Sequence, residues 1–227
     1  MIVKNKTATL VSRILICLIM LAGAIISLGA FNPSPNWYVY YTNLSNYFCL
    51  IVVLVETVFT AINIKRGQDK KQLKVAPEVK FAALIAILVT FLITNILLTN
   101  IFSSAYWSGA ENVLMHFVNP ILFWADWILF AEHKNTKWYF PLYELIFPLT
   151  YVVYILIRGA IIADTAAPWQ KVYPYFFLNV TELGYAGVFL WVLGLVAIFL
   201  IFGYLIYLFD NFAEVKTKLK QKFQNKN

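Results

Sequence analysis

Hydrophobic positions along this chain gather into six long runs, divided by short polar segments. Each run is close to twenty residues or longer, the length a helix needs to cross ~30 Å of hydrocarbon. They predict helices over about 8–30, 39–64, 81–102, 113–131, 139–162 and 183–209, with a basic tail at 210–227. The fold class expected is all-α: a polytopic membrane protein, one bundle of six transmembrane helices with no appended soluble domain.

Polar punctuation supports these limits. Lys4 and Lys6 precede the first run and Arg13 lies near its start, a beginning also seen in signal peptides. This run is long for such a segment, and Leu28 breaks the small-residue pattern a cleavage site ending at Ala30 would need, so it reads as a retained helix. Pro33 and Pro35 make residues 32–36 a turn, because neither proline continues a helix interior. Trp37, Tyr38, Tyr40 and Tyr41 form an aromatic belt where the second run enters the membrane.

Basic residues orient the bundle. Sixteen of the eighteen Lys and Arg lie in the N-terminal segment, the second-to-third and fourth-to-fifth connections and the tail; only Arg158 and Lys171 fall on the other side. The positive-inside rule then places both termini in the cytoplasm of a plasma-membrane protein.

Composition excludes other classes. The chain is 61% hydrophobic, 18% aromatic and 13% charged, with a mean hydropathy of +0.72, which leaves too little polar surface for a soluble domain. Its net charge of +7 would suggest nucleic acid in a soluble protein. Here the cations flank hydrophobic runs, so membrane lipids are the expected partners and nucleic acid is not. Cys17 and Cys49 sit inside runs as small apolar fillers, with no disulfide or metal spacing. His116 and His133 lie about 25 Å apart along one helix, no metal motif occurs, and no phosphate-binding glycine loop is present, so no metal or cofactor is expected.

The polar residues inside the runs carry the chemistry. Tyr40-Tyr41-Thr42-Asn43-Leu44-Ser45-Asn46 concentrates hydroxyls and amides at the head of the second helix, where each unpaired group costs kilocalories in hydrocarbon. Thr42 and Asn46 share a face, roughly 6 Å apart along the axis. Helical phase continues that stripe through Cys49 and Val53 to Glu56. It also groups His116, Asn119 and Phe123 with Asp126 at their edge, and Glu144 with Tyr151, Tyr154 and Arg158. With Asn95, Thr99 and Asn100 of the third helix, these groups converge in the outer half of the bundle beneath the fifth-to-sixth connection. Glu56, Asp126 and Glu144 form a deeper group with few evident cationic partners.

Ester hydrolysis needs a nucleophile, a base and donors for the developing oxyanion. Thr42 supplies a hydroxyl and His116, the one histidine in the outer half, an imidazole suited to take its proton. Asn43, Asn46 and Asn119 are candidates to orient the imidazole or hold the oxyanion; Tyr151, Tyr154 and Arg158 are candidates for substrate contact, with Arg158 fit to hold a carboxylate or phosphate. The plainer reading stays open beside this one. Thr42 then caps its helix, Ser45 is a rival nucleophile, His116 is a packing hydrogen bond, the tyrosines pack as aromatics, and Arg158 snorkels outward.

Six helices, Tyr-Thr-Asn-Leu-Ser-Asn opening the second, His-Phe-Val-Asn-Pro opening the fourth and Tyr173-Pro174-Tyr175 before the sixth resemble the androgen-induced-protein family of transmembrane threonine hydrolases, and in particular its bacterial integral membrane branch. The resemblance implies a catalytic threonine on helix two and a histidine on a later helix, matching Thr42 and His116, and a lipid-ester substrate. In the animal members that substrate is a fatty acid ester of a hydroxy fatty acid. Two alternatives remain: a small transporter or channel with Glu56, Asp126 and Glu144 along an inner path, and a non-catalytic lipid-binding subunit.

Overall fold

A computed structural model describes residues 2–29, 35–67, 71–134 and 136–212. Residues 32–34 of the turn expected at 32–36, Lys70 and the lysines from Lys216 to Lys226 lie outside these residues. Among the described residues the chain is helical and forms no strand. Six helical stretches are long and apolar enough to cross a membrane: Lys6–Ser27, Tyr41–Arg66, Pro77–Leu98, Ala110–Phe130, Phe140–Ile162 and Val180–Asp210.

Four of the spans are not plain α-helices. The first two are α1 (Lys6–Ser27) and α2 (Tyr41–Arg66). The third is α3 (Pro77–Leu92), widening into a π-helical turn over Ile93–Leu98. After a short α4 (Ser104–Ser108), the fourth span runs as α5 (Ala110–Val113), a second π turn (Leu114–Val118) and α6 (Asn119–Phe130). The fifth breaks into α7 (Phe140–Tyr143) and α8 (Ile146–Ile162), and the sixth is α9 (Val180–Asp210).

Local chemistry explains where these boundaries depart from the hydropathy pattern. The third helix starts at Pro77 rather than near 81 because proline suits a first-turn position, so Lys80 becomes a helical residue. It ends at Leu98 rather than near 102 because Thr99 turns back, its amide and hydroxyl both donating to the Thr94 carbonyl at 2.8 Å. Continuity of the fifth helix over 139–162 fails at Glu144. Pro148 has no N–H to offer the Glu144 carbonyl four residues earlier, and the helix restarts at Ile146. Gly184, with φ 63°, kinks the start of α9.

The apolar core includes Met20, Val53, Leu84, Ile87, Phe123, Phe140 and Ile155, each almost wholly buried. Beneath it, toward the end where α1 starts and α9 finishes, four charges meet inside the bundle. Lys80 Nζ lies 2.6 Å from Glu56 Oε2 and 2.7 Å from Asp126 Oδ2. Arg13 donates Nε to Asp126 at 2.8 Å and Nη1 to the Thr60 hydroxyl at 2.9 Å, with Nη2 at 3.4 Å from Glu56. The expectation that Glu56 and Asp126 have few cationic partners is therefore corrected. Arg13 and Lys80, which the pattern assigned to the flanks, enter the bundle and neutralise them. At the same end His133 Nδ1 lies 2.9 Å from Asp210 Oδ1, while Thr136 donates its hydroxyl (2.6 Å) and amide (3.1 Å) to Oδ2, tying the fourth-to-fifth turn to the end of α9.

Glu144 stands apart. It is 2% exposed, neither carboxyl oxygen has a hydrogen-bond partner, and it fills the space a Cβ would need at Gly203 of α9.

Breaking a buried ion pair from one side strands the other charge, at a cost of about 3–5 kcal/mol. Lys80→Met should lower stability by that amount in detergent unfolding. Adding Glu56→Gln, which leaves one Arg13–Asp126 pair, should restore most of it.

Candidate functional site

The polar centre of the other half of the bundle originates in one proline. Pro120 cannot donate to the His116 carbonyl four residues before it. The adjacent π turn sends the Asn119 amide to the Leu114 carbonyl rather than to Met115. Two successive carbonyls, Met115 and His116, are thereby released from the helix ladder. In a membrane interior such groups need partners from elsewhere.

Two asparagines supply them. Asn46 of α2 donates to the Met115 carbonyl at 2.9 Å, and Asn95, in the π turn of the third span, donates to the His116 carbonyl at 3.0 Å. Asn46 also donates to the Thr42 carbonyl (2.8 Å) and accepts from Asn119 (2.9 Å). Asn95 donates to the Phe91 carbonyl (2.7 Å) and accepts from the Tyr106 hydroxyl (2.7 Å), which fastens α4 to the bundle. Ser45 donates to the Thr42 carbonyl at 3.0 Å and lies 2.7 Å from the Thr90 hydroxyl. Gly23 of α1 packs directly on Asn119 and Met115, where an added Cβ would lie 3.0 and 3.1 Å from their side chains.

Thr42 faces a cavity of about 60 Å³ between α2, the third span, α8 and α9. Its wall is mostly apolar, with Thr90, Thr94 and Tyr151 as polar contributors and Tyr175 from the fifth-to-sixth connection. The Thr42 amide donates to the Tyr175 hydroxyl at 3.5 Å. Burial pushes the Tyr175 phenol up, against the smaller opposing effect of its hydrogen bonds to Thr42, so it remains an O–H donor at neutral pH.

The other sequence candidates are distributed as follows. His116 Nδ1 is buried without a hydrogen-bond partner, and so is Asn119 Oδ1. Among the described residues no hydrogen bond joins the Thr42 hydroxyl to the His116 imidazole; their connection runs through Asn46 to the neighbouring Met115 carbonyl. Asn43 donates to the Trp37 carbonyl at 3.0 Å and pins the turn before α2. Tyr151 is buried and donates to the Val39 carbonyl at 2.7 Å. Tyr154 is 36% exposed. Arg158 donates Nη1 to the Lys171 (2.6 Å) and Val172 (3.0 Å) carbonyls and lies over the Tyr38 ring.

Those bonds hold the fifth-to-sixth connection over the cavity. Asn36 adds two more, to the Trp169 carbonyl (2.9 Å) and from the Lys171 amide (3.0 Å), and the Tyr173 ring occupies the space over Gly159. Sequence reasoning missed Tyr175, Thr90 and Thr94 as cavity residues. The signal for Tyr175 was the aromatic string from Tyr173 to Phe177; the two threonines carried none beyond being polar. Among the described residues, no three His, Cys, Asp or Glu side chains gather as a metal would require.

Comparison with protein-family models, characterised proteins and solved structures finds no match. None of these comparisons identifies the androgen-induced-protein family, the resemblance to which rests on the six-helix layout and residues 41–46, 116–120 and 173–175.

The carbonyl-capping account makes a prediction about non-additivity. Asn95→Ala should cost about 1–2 kcal/mol by leaving a buried carbonyl unpaired. In a Pro120→Ala background the new N–H can reach the His116 carbonyl, so the same change should cost less than half as much. A double-mutant cycle by reversible unfolding in mixed micelles reads this. Equal losses in the two backgrounds would refute the assignment.

Proposed function

We propose that this chain is an intramembrane lipid-ester hydrolase of the plasma membrane, with both termini cytoplasmic. The observation that carries the reading is Thr42 on the wall of a largely apolar cavity inside the bundle, beside the half-buried Tyr175 hydroxyl. An acyl chain is the ligand such a wall favours, and the threonine is its principal candidate nucleophile. The basic residues flanking the spans at one end support the orientation, which puts the Thr42 cavity on the outer side.

In the proposed reaction Thr42 Oγ attacks the ester carbonyl carbon while His116 takes the threonine proton, with the unpartnered Nδ1 as acceptor. Tyr175 donates to the carbonyl oxygen as it gains charge. The bond from carbonyl carbon to the alcohol oxygen breaks, and the alcohol leaves with the proton from His116. Water then attacks the acyl-threonine, gives its proton to His116 and releases the carboxylic acid and the free hydroxyl. The reading requires imidazole and hydroxyl to close on each other over a seated ester. Catalytic hydrogen bonds of this kind commonly tighten only in the Michaelis complex.

Arg158 has a different part here from the one its charge first suggested. With Nη1 engaged by two carbonyls, it positions the connection that carries Tyr175. Asn46 and Asn95 likewise hold the helices in register and are positioning residues.

A second reading is favoured by the missing Thr42–His116 contact: a lipid-binding subunit that holds an acyl chain without turnover. Substitution separates the two cleanly, because Ser45 and Asn46 bond the Thr42 carbonyl and not its side chain. Thr42→Ala and His116→Ala should each reduce hydrolysis of a fluorogenic lipid ester at least 100-fold with unfolding midpoints near wild type, while Thr42→Ser retains activity. Undiminished hydrolysis in Thr42→Ala would end the enzyme reading. Binding of the ester without turnover by wild type would establish the lipid-binding one.

A further inference from the structure

A cavity larger than the one beside Thr42 lies at the opposite end of the bundle, next to the buried charges, and nothing in the hydrolase reading uses it. It holds about 190 Å³, room for about six waters at ~30 Å³ each. Its floor is formed by Arg13, Glu56 and Lys80, with Asp126 directly behind. Two cations and two carboxylates make that floor neutral. Most of its N–H donors engage the carboxylates, the Thr60 hydroxyl and the Glu56 carbonyl.

The rim is different. Lys4, Lys6 and Lys74 border the cavity. Of the acids beside them, Asp210 already accepts from the backbone amides of Lys134 and Thr136, the Thr136 hydroxyl and the His133 ring. Glu132 meets Lys74 at 3.0 Å, but both side chains are more than half exposed (57% and 61%), and such pairs contribute little. The floor contributes an acceptor instead. Glu56 engages Lys80 and Arg13 through Oε2, and among the described residues its Oε1 takes part in no bond.

Rim cations above a neutral floor with a free acceptor suit a ligand that is anionic at one end and hydroxylated at the other. We infer that this vestibule binds a phosphate bearing a polyol, either as a glycerophosphate-type lipid headgroup or as the free glycerol phosphate. The phosphate meets Lys4, Lys6 and Lys74, and a glycerol hydroxyl donates to Glu56 Oε1. A polar opening at this depth also accounts for four charges inside a membrane bundle, since intramembrane charges face one another or a water-filled cavity. The inference is independent of the hydrolase reading.

Calorimetric titration of the full chain in an uncharged maltoside detergent tests it. Dihexanoyl phosphatidylglycerol and glycerol 3-phosphate are the two probes, and dihexanoyl phosphatidylcholine, which has no hydroxyl to donate, is the comparison. One-to-one saturable binding of either probe, at least tenfold tighter than phosphatidylcholine, supports the site; which probe binds identifies lipid or free phosphate as the source. The Lys4→Gln/Lys6→Gln/Lys74→Gln variant should weaken that binding at least tenfold. Lys65→Gln/Arg66→Gln, which removes charge from the same end but off the cavity wall, should leave it unchanged. Absence of binding by both probes, equal binding of phosphatidylcholine, or equal losses in the two variants would overturn the assignment.

Discussion

Every backbone carbonyl within hydrocarbon must find a donor, and in the fourth span two successive ones cannot find one in their own helix. Pro120 and the π turn before it release the Met115 and His116 carbonyls, and Asn46 and Asn95 take them up from neighbouring spans. Because a carbonyl-to-amide bond fixes rotation as well as distance, the pairings set the facing of α2 and the third span toward the fourth. Thr42 lies one turn from Asn46 on the same face, so its position follows from theirs.

α2 can be read as a ruler for the whole molecule. Along one face it presents Thr42 to the upper cavity, Asn46 to the freed carbonyl, Cys49 and Val53 to the fully buried apolar layer, and Glu56 to the charge quartet. Two polar layers are thus separated by a dry one. The layers differ in kind. The upper is neutral amides and hydroxyls bonded largely to backbone, the lower is paired full charges beside an open cavity. An acidic path running through the bundle does not describe this arrangement, because Glu56 and Asp126 are neutralised and Glu144 packs separately against Gly203.

The six spans and the inward stripe of α2 were legible in the sequence because hydrocarbon imposes one strong rule on run length and helical phase. What escaped had non-local causes. Arg13 and Lys80 read as flanking charges, since nothing in their neighbourhood shows that carboxylates from two other helices wait at their depth. The π turns leave no hydropathy trace; Pro120 marks the place, but the same residue is compatible with a simple kink. Asn43, Arg158 and Tyr151 were legible as polar and not as fasteners, because the carbonyls they bond lie in irregular segments whose path the sequence does not encode. Tyr175 reaches Thr42 only because Arg158 and Asn36 hold its connection in place.

The functional account depends on Thr42 being chemically activated as well as buried in the right wall. Labelling with a fluorophosphonate, followed by peptide mass analysis, reads this directly. The account predicts a covalent adduct on Thr42 in the wild-type protein and its loss in His116→Ala protein that unfolds normally. An adduct that forms equally well without His116, or one found on Ser45 with Thr42 unmodified, would contradict it.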